Sequence, residues 1–334
     1  MNAATLRKVG LSLVVSALFL YLAFRNVPLH DLGVALSRFD ARWLIPAFAI
    51  SIVLQVFRAW RWQLELRPLE RISLGSLWIV TSVAYMAINV LPARMGEVVR
   101  PWLLSRRSSV SFSNVVGNLV IEKTMDSVVI LFYILLGLMT TADLPAWVRR
   151  GALFPAVGAA ILVTLVVLLW WRGEAFFERA VVRFLPERFG VGLMRFLKAV
   201  VAGMQILPNG RLLGSVFLVS LTLWFLPILS SYVVIRAFDF AVPFSASVIV
   251  FIFIGFGTAL PQAPGMIGTY QYACQLALAL FGVPAADALA YGVVLNAIQL
   301  ASLIGQGVIA LALARIGVED LLQARRAAES ATAR

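Results

Sequence analysis

Four polar side chains occur at intervals of four residues within one long apolar stretch, at Asn114, Asn118, Glu122 and Asp126. A helix would place them on one slowly drifting face, with Glu122 roughly 12 Å beyond Asn114 at a rise of about 1.5 Å per residue. Two carboxylates one turn apart repel each other unless a cation lies between them. We therefore expect a buried charged cluster, for which the sequence offers three cations: Lys123, Arg94 and Arg100.

A second polar set surrounds a break in an apolar helix, bracketed by Pro92 and Gly96. Helix-breaking residues at membrane depth are tolerated only where the freed backbone is buried in protein or lines a wet cavity. The short helix that follows would point its N-terminus into the membrane, which favours anions such as phosphate. Glu97 would cap that helix, and Arg100, one turn later, would bind the phosphate.

The charged residues allow two interpretations, which are compatible with each other. In the structural one, an ion-pair network pins the broken helix to the long helix. In the functional one, the same residues line a polar cavity for a lipid headgroup or for proton coupling. A third use, an acid–base pair for catalysis, lacks any accompanying motif: there is no P-loop, no HExxH and no nucleophile elbow. The sequence therefore predicts no catalytic residue, no metal site and no cofactor.

A second break repeats the pattern of the first one. Both read L-P-x-x-x-G, at residues 91–96 and 260–265. A pair of interrupted apolar segments in corresponding halves of a chain points to the central site of a transporter. Gly265 and Gly268 open the second helix, where the same argument for an anion applies, and Gln271 follows in its first turn.

The elements that position these residues must lie in a membrane. The 334-residue chain is 61% hydrophobic and only 13% charged, with a mean hydropathy of +0.93, whereas a soluble domain carries about 25% charged residues. We predict a polytopic, all-α membrane protein. We assign its net charge of +12 to topology and anionic headgroups. No nucleic-acid partner is predicted, because no basic and aromatic groove is visible.

The positive-inside rule selects a topology. If residues 73–107 and 244–281 are re-entrant helical hairpins, 19 Lys and Arg lie inside and 6 outside. If the first hairpin began instead with a full crossing, the seven basic residues of 172–211 would face outside. We therefore predict about six full spans plus two opposed re-entrant hairpins. They would form an inverted repeat, 43–141 and 212–314, with both termini cytoplasmic.

Residues 1–314 would form a single integral membrane domain, followed by a polar tail, 315–334. Within the domain, residues 174–207 repeat apolar and basic side chains at helical spacing, which predicts a cytoplasmic amphipathic segment. The basic residues of 172–211 would bind an anionic membrane surface; docking of a partner protein is the competing use. Arg58–Trp62 alternates arginine with tryptophan, a pattern typical of the membrane interface.

The chain resembles a known family, the flippase-like membrane region of lysylphosphatidylglycerol synthases. That family's pattern is P-x-R-x-G-E-x-x-R, then an acidic residue with a basic neighbour and an Asp four positions on. A later P-G-x-x-G-x-x-E completes the pattern, but Gln271 stands where the last acid is common, which argues against a charge-dependent role there. The matching residues are Pro92, Arg94, Gly96, Glu97, Arg100, Glu122, Lys123, Asp126, Pro264, Gly265 and Gly268.

The resemblance covers about residues 9–314 and implies flippase-like translocation of a phospholipid or glycolipid amphiphile across the bacterial inner membrane. The chain ends without the soluble domain of the two-domain synthases, so the resemblance argues against aminoacyl transfer. An intramembrane enzyme acting on a lipid-linked substrate and a non-catalytic partner of a lipid-pathway enzyme are the alternatives, and a homo-oligomer is left open. The residues expected to bind substrate or couple its movement are Arg94, Gly96, Glu97, Arg100, Asn118, Glu122, Lys123, Asp126, Gly265, Gly268 and Gln271.

Overall fold

A computed structural model describes residues 3–90, 96–141, 144–180, 186–204, 208–258 and 263–314. Its secondary structure is helical throughout, and these ranges contain no strand. Two short 3₁₀ turns, Ala41–Trp43 and Pro264–Met266, accompany the α-helices. The α-helices in chain order are α1 (Ala3–Phe24), α2 (Leu29–Ser37), α3 (Leu44–Leu66), α4 (Leu74–Val90), α5 (Gly96–Arg107), α6 (Phe112–Thr140), α7 (Ala146–Gly151), α8 (Leu153–Arg172), α9 (Glu174–Ala180), α10 (Glu187–Gly203), α11 (Gly210–Ala237), α12 (Ser245–Thr258), α13 (Thr269–Ala279) and α14 (Ala285–Ala314).

Several described helices are long and apolar enough to cross a membrane. A further candidate span is a bent pair, in which Gly10–Phe24 meets Leu29–Ser37 at 80°. The bend follows from Pro28, the residue before α2, which holds φ at −59° and has no N–H to continue α1. The predicted class, an all-helical multi-pass membrane protein, is confirmed, whereas the number of spans stays a prediction. The four unbroken candidates are Ala41–Leu66, Ala146–Arg172, Gly210–Ala237 and Ala285–Ala314.

The packing of α3–α6 is repeated by α11–α14. In the first half α3 packs on α4, α4 on α5 and α5 on α6; in the second, α11 packs on α12, α12 on α13 and α13 on α14. The contacts between the halves correspond as well, because α4 packs on α14 as α12 packs on α6, and α3 packs on α14 as α11 packs on α6. Exchanging the halves therefore preserves the set of helix contacts.

The two helix breaks predicted from the sequence fall between α4 and α5 and between α12 and α13. Residues 91–95, with Arg94, and residues 259–262 are outside the described residues, as is the side chain of Glu97. At the second break Gly265 has φ +73° and Gly268 φ +93°, the left-handed region that favours glycine. A Cβ on Gly268 would collide with the backbone carbonyl of Ser16, so glycine lets α1 approach this turn closely.

The amphipathic segment predicted at 174–207 contributes two helices, α9 and α10. One face of α10 is buried against α6 and α8, where Leu197, Val200 and Met204 join their apolar core. The opposite face exposes Arg195 and Lys198. The helix is thus two-faced as predicted, but its inward apolar face packs on protein. Binding of its outward face to an anionic membrane surface stays a prediction.

Candidate functional site

Five charged side chains from three helices form a buried group, which we call the ion cluster: Arg61 and Glu65 on α3, Arg100 on α5, and Glu122 and Asp126 on α6. Glu122 lies at its centre, with 1% of its surface exposed. Its Oε1 accepts from Arg61 Nη2 at 2.7 Å and its Oε2 accepts from Arg100 Nη1 at 2.7 Å. A carboxylate that binds two guanidinium groups in this way neutralises buried charge on both sides.

Arg61 reaches the second α6 carboxylate as well. Its Nη1 donates to Asp126 Oδ1, which also accepts from the indole Nε1 of Trp224 at 2.7 Å. Glu65 extends the cluster, with Oε1 at 3.5 Å from Arg61 Nε, longer than a normal hydrogen bond. Arg61 is therefore the cation that separates the carboxylates of the cluster from one another.

Aromatic and amide groups complete the contact between α3, α5 and α6. The guanidinium carbon of Arg100 lies 3.9 Å above the ring of Trp62, a cation–π contact. The indole Nε1 of Trp62 donates to Asn118 Oδ1 at 3.1 Å. These contacts join the short helix after the first break to the long helix that follows it.

The structure brings together Arg100, Asn118, Glu122 and Asp126, four of the residues selected from the sequence. Lys123 is exposed, although it adjoins Glu122 in the chain. Gly96 begins α5, whereas Arg94 and the side chain of Glu97 lie outside the described residues.

Sequence reasoning missed Arg61, Glu65 and Trp62. It placed Arg58–Trp62 at the membrane interface, and that interpretation is wrong for Arg61 and Trp62. The helix continues to Leu66, and Arg61 and Trp62 are 3% and 0% exposed. An available signal was the i,i+4 spacing of Arg61 and Glu65, which places a pair of opposite charges on one helix face.

At the second break, the selected residues support the backbone. Gln271 accepts a hydrogen bond on Oε1 from the N–H of Gly268 at 2.7 Å, which caps the start of α13. Asn296 Nδ2 donates to the carbonyl of Gly265 at 3.1 Å. Because Gln271 acts through a neutral amide, it needs no negative charge to hold this turn.

A cavity of about 510 Å³, which we call the large cavity, opens between α3, α6, α8 and α11–α14. Its wall is mainly apolar, with Ile130, Phe251 and Ile252 among the lining residues. Its polar lining groups are Arg58, Trp224, Ser231, Tyr270 and Gln299. A smaller cavity of about 50 Å³ shares Arg58, Pro227, Tyr270, Leu295 and Gln299 with it.

Trp224 connects the large cavity to the ion cluster. Its ring lines the cavity, while its Nε1 donates to Asp126. Within the described ranges, no three His, Cys, Asp or Glu side chains are placed to hold a metal ion. The arrangement is a mostly apolar space for a small molecule or an acyl chain, beside the paired charges of the ion cluster. Both carboxylate oxygens of Glu65 are buried without a hydrogen-bond partner.

Comparison with known proteins gives one family. Its model, the lysylphosphatidylglycerol synthase transmembrane region, matches residues 9–307. A UPF0104 membrane protein of Methanothermobacter thermautotrophicus is 26% identical over 263 residues, which are 73% of this chain and 75% of that protein. Glycosyltransferase AglD of Haloferax volcanii is 27% identical over 331 residues, 90% of this chain, and the match spans 53% of that protein's length.

Proposed function

Because the chain belongs to the family of the lysylphosphatidylglycerol synthase transmembrane region, we propose that it is a flippase-like transporter that moves a lipid or lipid-linked amphiphile across the bacterial inner membrane. The observation that carries the proposal is the large cavity of about 510 Å³, mainly apolar but with polar groups on its wall. An amphiphile requires both kinds of surface, because its chains and its headgroup differ in solvation. Its partners would be a phospholipid or glycolipid amphiphile and, through residues 172–211, an anionic membrane surface.

The proposed topology is the inverted repeat: six full spans, two opposed re-entrant hairpins and cytoplasmic termini within one membrane domain, 1–314. The matching helix contacts of α3–α6 and α11–α14 support it, because many transporters place their substrate between two such repeats. Labelling a Ser108→Cys variant with an impermeant thiol reagent tests the first hairpin. We expect labelling from the cytoplasmic face, and labelling from the outer face contradicts the topology.

In this mechanism the ion cluster has a structural role. The carboxylates of Glu122 and Asp126 are hydrogen-bonded to Arg61 and Arg100, so these ion pairs hold α5 and α6 against α3, with Asn118 joined through Trp62. Gly96, Gly265, Gly268 and Gln271 would shape the starts of the two helices that follow the breaks. Arg94, Glu97 and Lys123 keep the role expected from the sequence, contact with the headgroup along its path.

Reconstitution into vesicles that contain fluorescent lipids tests the function. Dithionite bleaches dye in the outer leaflet only, so we expect additional bleaching when the protein is present, as inner-leaflet lipids are moved outward. A panel of headgroups would be used because the cargo is unknown. Equal bleaching with and without protein for every headgroup contradicts the proposal.

An intramembrane enzyme is the second candidate, favoured by the similarity to a protein named as a glycosyltransferase and by three neighbouring carboxylates, Glu65, Glu122 and Asp126. The same vesicles separate the two candidates. Mass spectrometry of the lipids after incubation shows unchanged masses for a transporter, whereas an enzyme adds or removes a group. Any protein-dependent change in lipid mass favours the enzyme.

A further inference from the structure

We propose that Arg58 binds a phosphate group of the transported molecule at the junction of the two cavities. This inference rests on the proposed function and adds to it a chemical class, an amphiphile with a phosphate-bearing headgroup. The assignment comes from the position of Arg58 in the wall of both cavities and from the contacts that its guanidinium group makes.

Arg58 differs from the two arginines of the ion cluster. Arg61 and Arg100 each contact carboxylates within ion-pair distance. In the described part of the chain, Arg58 has no carboxylate within that distance; its Nη1 donates to Gln55 Oε1 at 3.1 Å, and its guanidinium carbon lies 4.0 Å from the ring centre of Tyr85. Its Nε is buried without a hydrogen-bond partner, as are the Nε atoms of Arg61 and Arg100, so the difference lies in the missing carboxylate.

A guanidinium group in an apolar environment needs a counter-charge, because leaving water without one costs free energy. The neutral contacts with Gln55 and Tyr85 hold the side chain in place but supply no full negative charge. A phosphate oxygen within the cavity would supply it. Arginine suits this role because its planar donors match the oxygens of a phosphate group.

Two neighbouring groups in the shared wall complete the junction. Tyr270 donates its O–H to Gln299 Oε1 at 3.1 Å, which leaves the amide Nε2 of Gln299 as a donor. Arg58 on α3 and Gln299 on α14 thus provide donors from two sides. The apolar lining at Phe251 and Ile252 would accommodate an acyl chain of the same molecule.

Binding to detergent-solubilised full-length protein tests the inference without depending on transport. The probes are phosphatidylglycerol, diacylglycerol with the same acyl chains, and inorganic phosphate. We expect phosphatidylglycerol to bind roughly tenfold more tightly than diacylglycerol, as a charged hydrogen bond allows. Arg58→Gln should abolish that preference, whereas Arg58→Lys should retain part of it, and the exposed Arg25→Gln is the matched control.

The outcomes separate the possibilities. Competition by inorganic phosphate identifies a site for the free ion as well, whereas competition by the lipid alone assigns the site to headgroups; both support phosphate binding at Arg58. Equal affinities for the two lipids in the wild type overturn the inference, as does an unchanged preference in a folded Arg58→Gln variant. If wild-type protein moves lipid and Arg58→Gln moves it equally well, the transport function is supported and phosphate binding at Arg58 is contradicted. If the preference for phosphatidylglycerol depends on Arg58 but no lipid is moved, phosphate binding at Arg58 is supported and the transport function is contradicted.

Discussion

Glu122 is the residue on which the buried charges converge. Its two oxygens bind two different arginines, each at 2.7 Å, so one side chain joins α3, α5 and α6. Pairing buried charges offsets their desolvation, and removing one partner leaves the others uncompensated. The contribution of Glu122 to stability therefore depends on how its removal affects Arg61 and Arg100.

We expect Glu122→Gln to lower the free energy of unfolding by about 3 kcal/mol, because it leaves two buried guanidinium groups with too little negative charge. Thermal unfolding of the purified protein in detergent measures the change. Glu178→Gln, at an exposed position, is the control and should melt like the wild type. A Glu122→Gln variant that melts with the control would show that the ion cluster does not hold these helices together.

Two acids of the ion cluster were predictable, whereas Glu65 and the principal cation, Arg61, were missed. Glu122 and Asp126 interrupt an apolar stretch at a spacing of four, and that regularity places them on one helix face. Arg61 stands among tryptophans at what reads as a span end, a composition that also suits the membrane interface. Only packing of the end of α3 against α6 and α11 distinguishes the two, and one sequence does not reveal it.

The backbones of α6 and α10 are in direct contact. A Cβ on Gly203 would collide with the backbone of Gly117 and Asn118, and a Cβ on Gly117 would collide with the carbonyl of Ala199. Backbone contact of this kind is possible only between glycines or similarly small residues. This contact places α10 directly beside Asn118, which accepts a hydrogen bond from Trp62 next to the ion cluster.

Gly203→Ala should therefore destabilise the protein by about 2 kcal/mol, since the added methyl group overpacks a contact with backbone. Gly192→Ala lies in the same helix with open space around its added Cβ. It should be neutral or stabilise by roughly 0.5–1 kcal/mol through helix propensity. Thermal unfolding of the two variants measures the difference, and equal melting temperatures would contradict the assigned contact.

At the scale of elements, periodicity predicted the amphipathic character of α10 but not what its apolar face covers. Leu197, Val200 and Met204 have the spacing of a helix that lies on a membrane or on another helix. Gly203 allows α10 to pack on another helix. A glycine in an amphipathic helix does not by itself indicate such a contact. Only the position of α6 in the structure shows which helix the apolar face of α10 covers.

For the molecule as a whole, the sequence predicted the all-helical membrane class and the turn at Gly265 and Gly268, whereas the large cavity could not be predicted. Pairs of interrupted helices are visible as L-P-x-x-x-G at two positions. The cavity is formed by side chains from helices distant in sequence, such as Arg58, Trp224 and Gln299. Its position depends on how the two halves pack, and packing of that kind leaves no periodic signal.

The central claim is that an amphiphile crosses the membrane through the large cavity, and filling that cavity tests it most directly. Gly255 lines the cavity, and a Cβ added there meets open space, so Gly255→Trp should fill the space. Gly305→Trp, also open around its Cβ but away from the lining residues, is the control.

The measurement is the initial rate of lipid translocation in vesicles, with equal amounts of folded protein. We predict wild-type and Gly305→Trp proteins to move lipid at similar rates and Gly255→Trp to fall close to the rate of protein-free vesicles. Translocation by Gly255→Trp at the wild-type rate would contradict a path through this cavity.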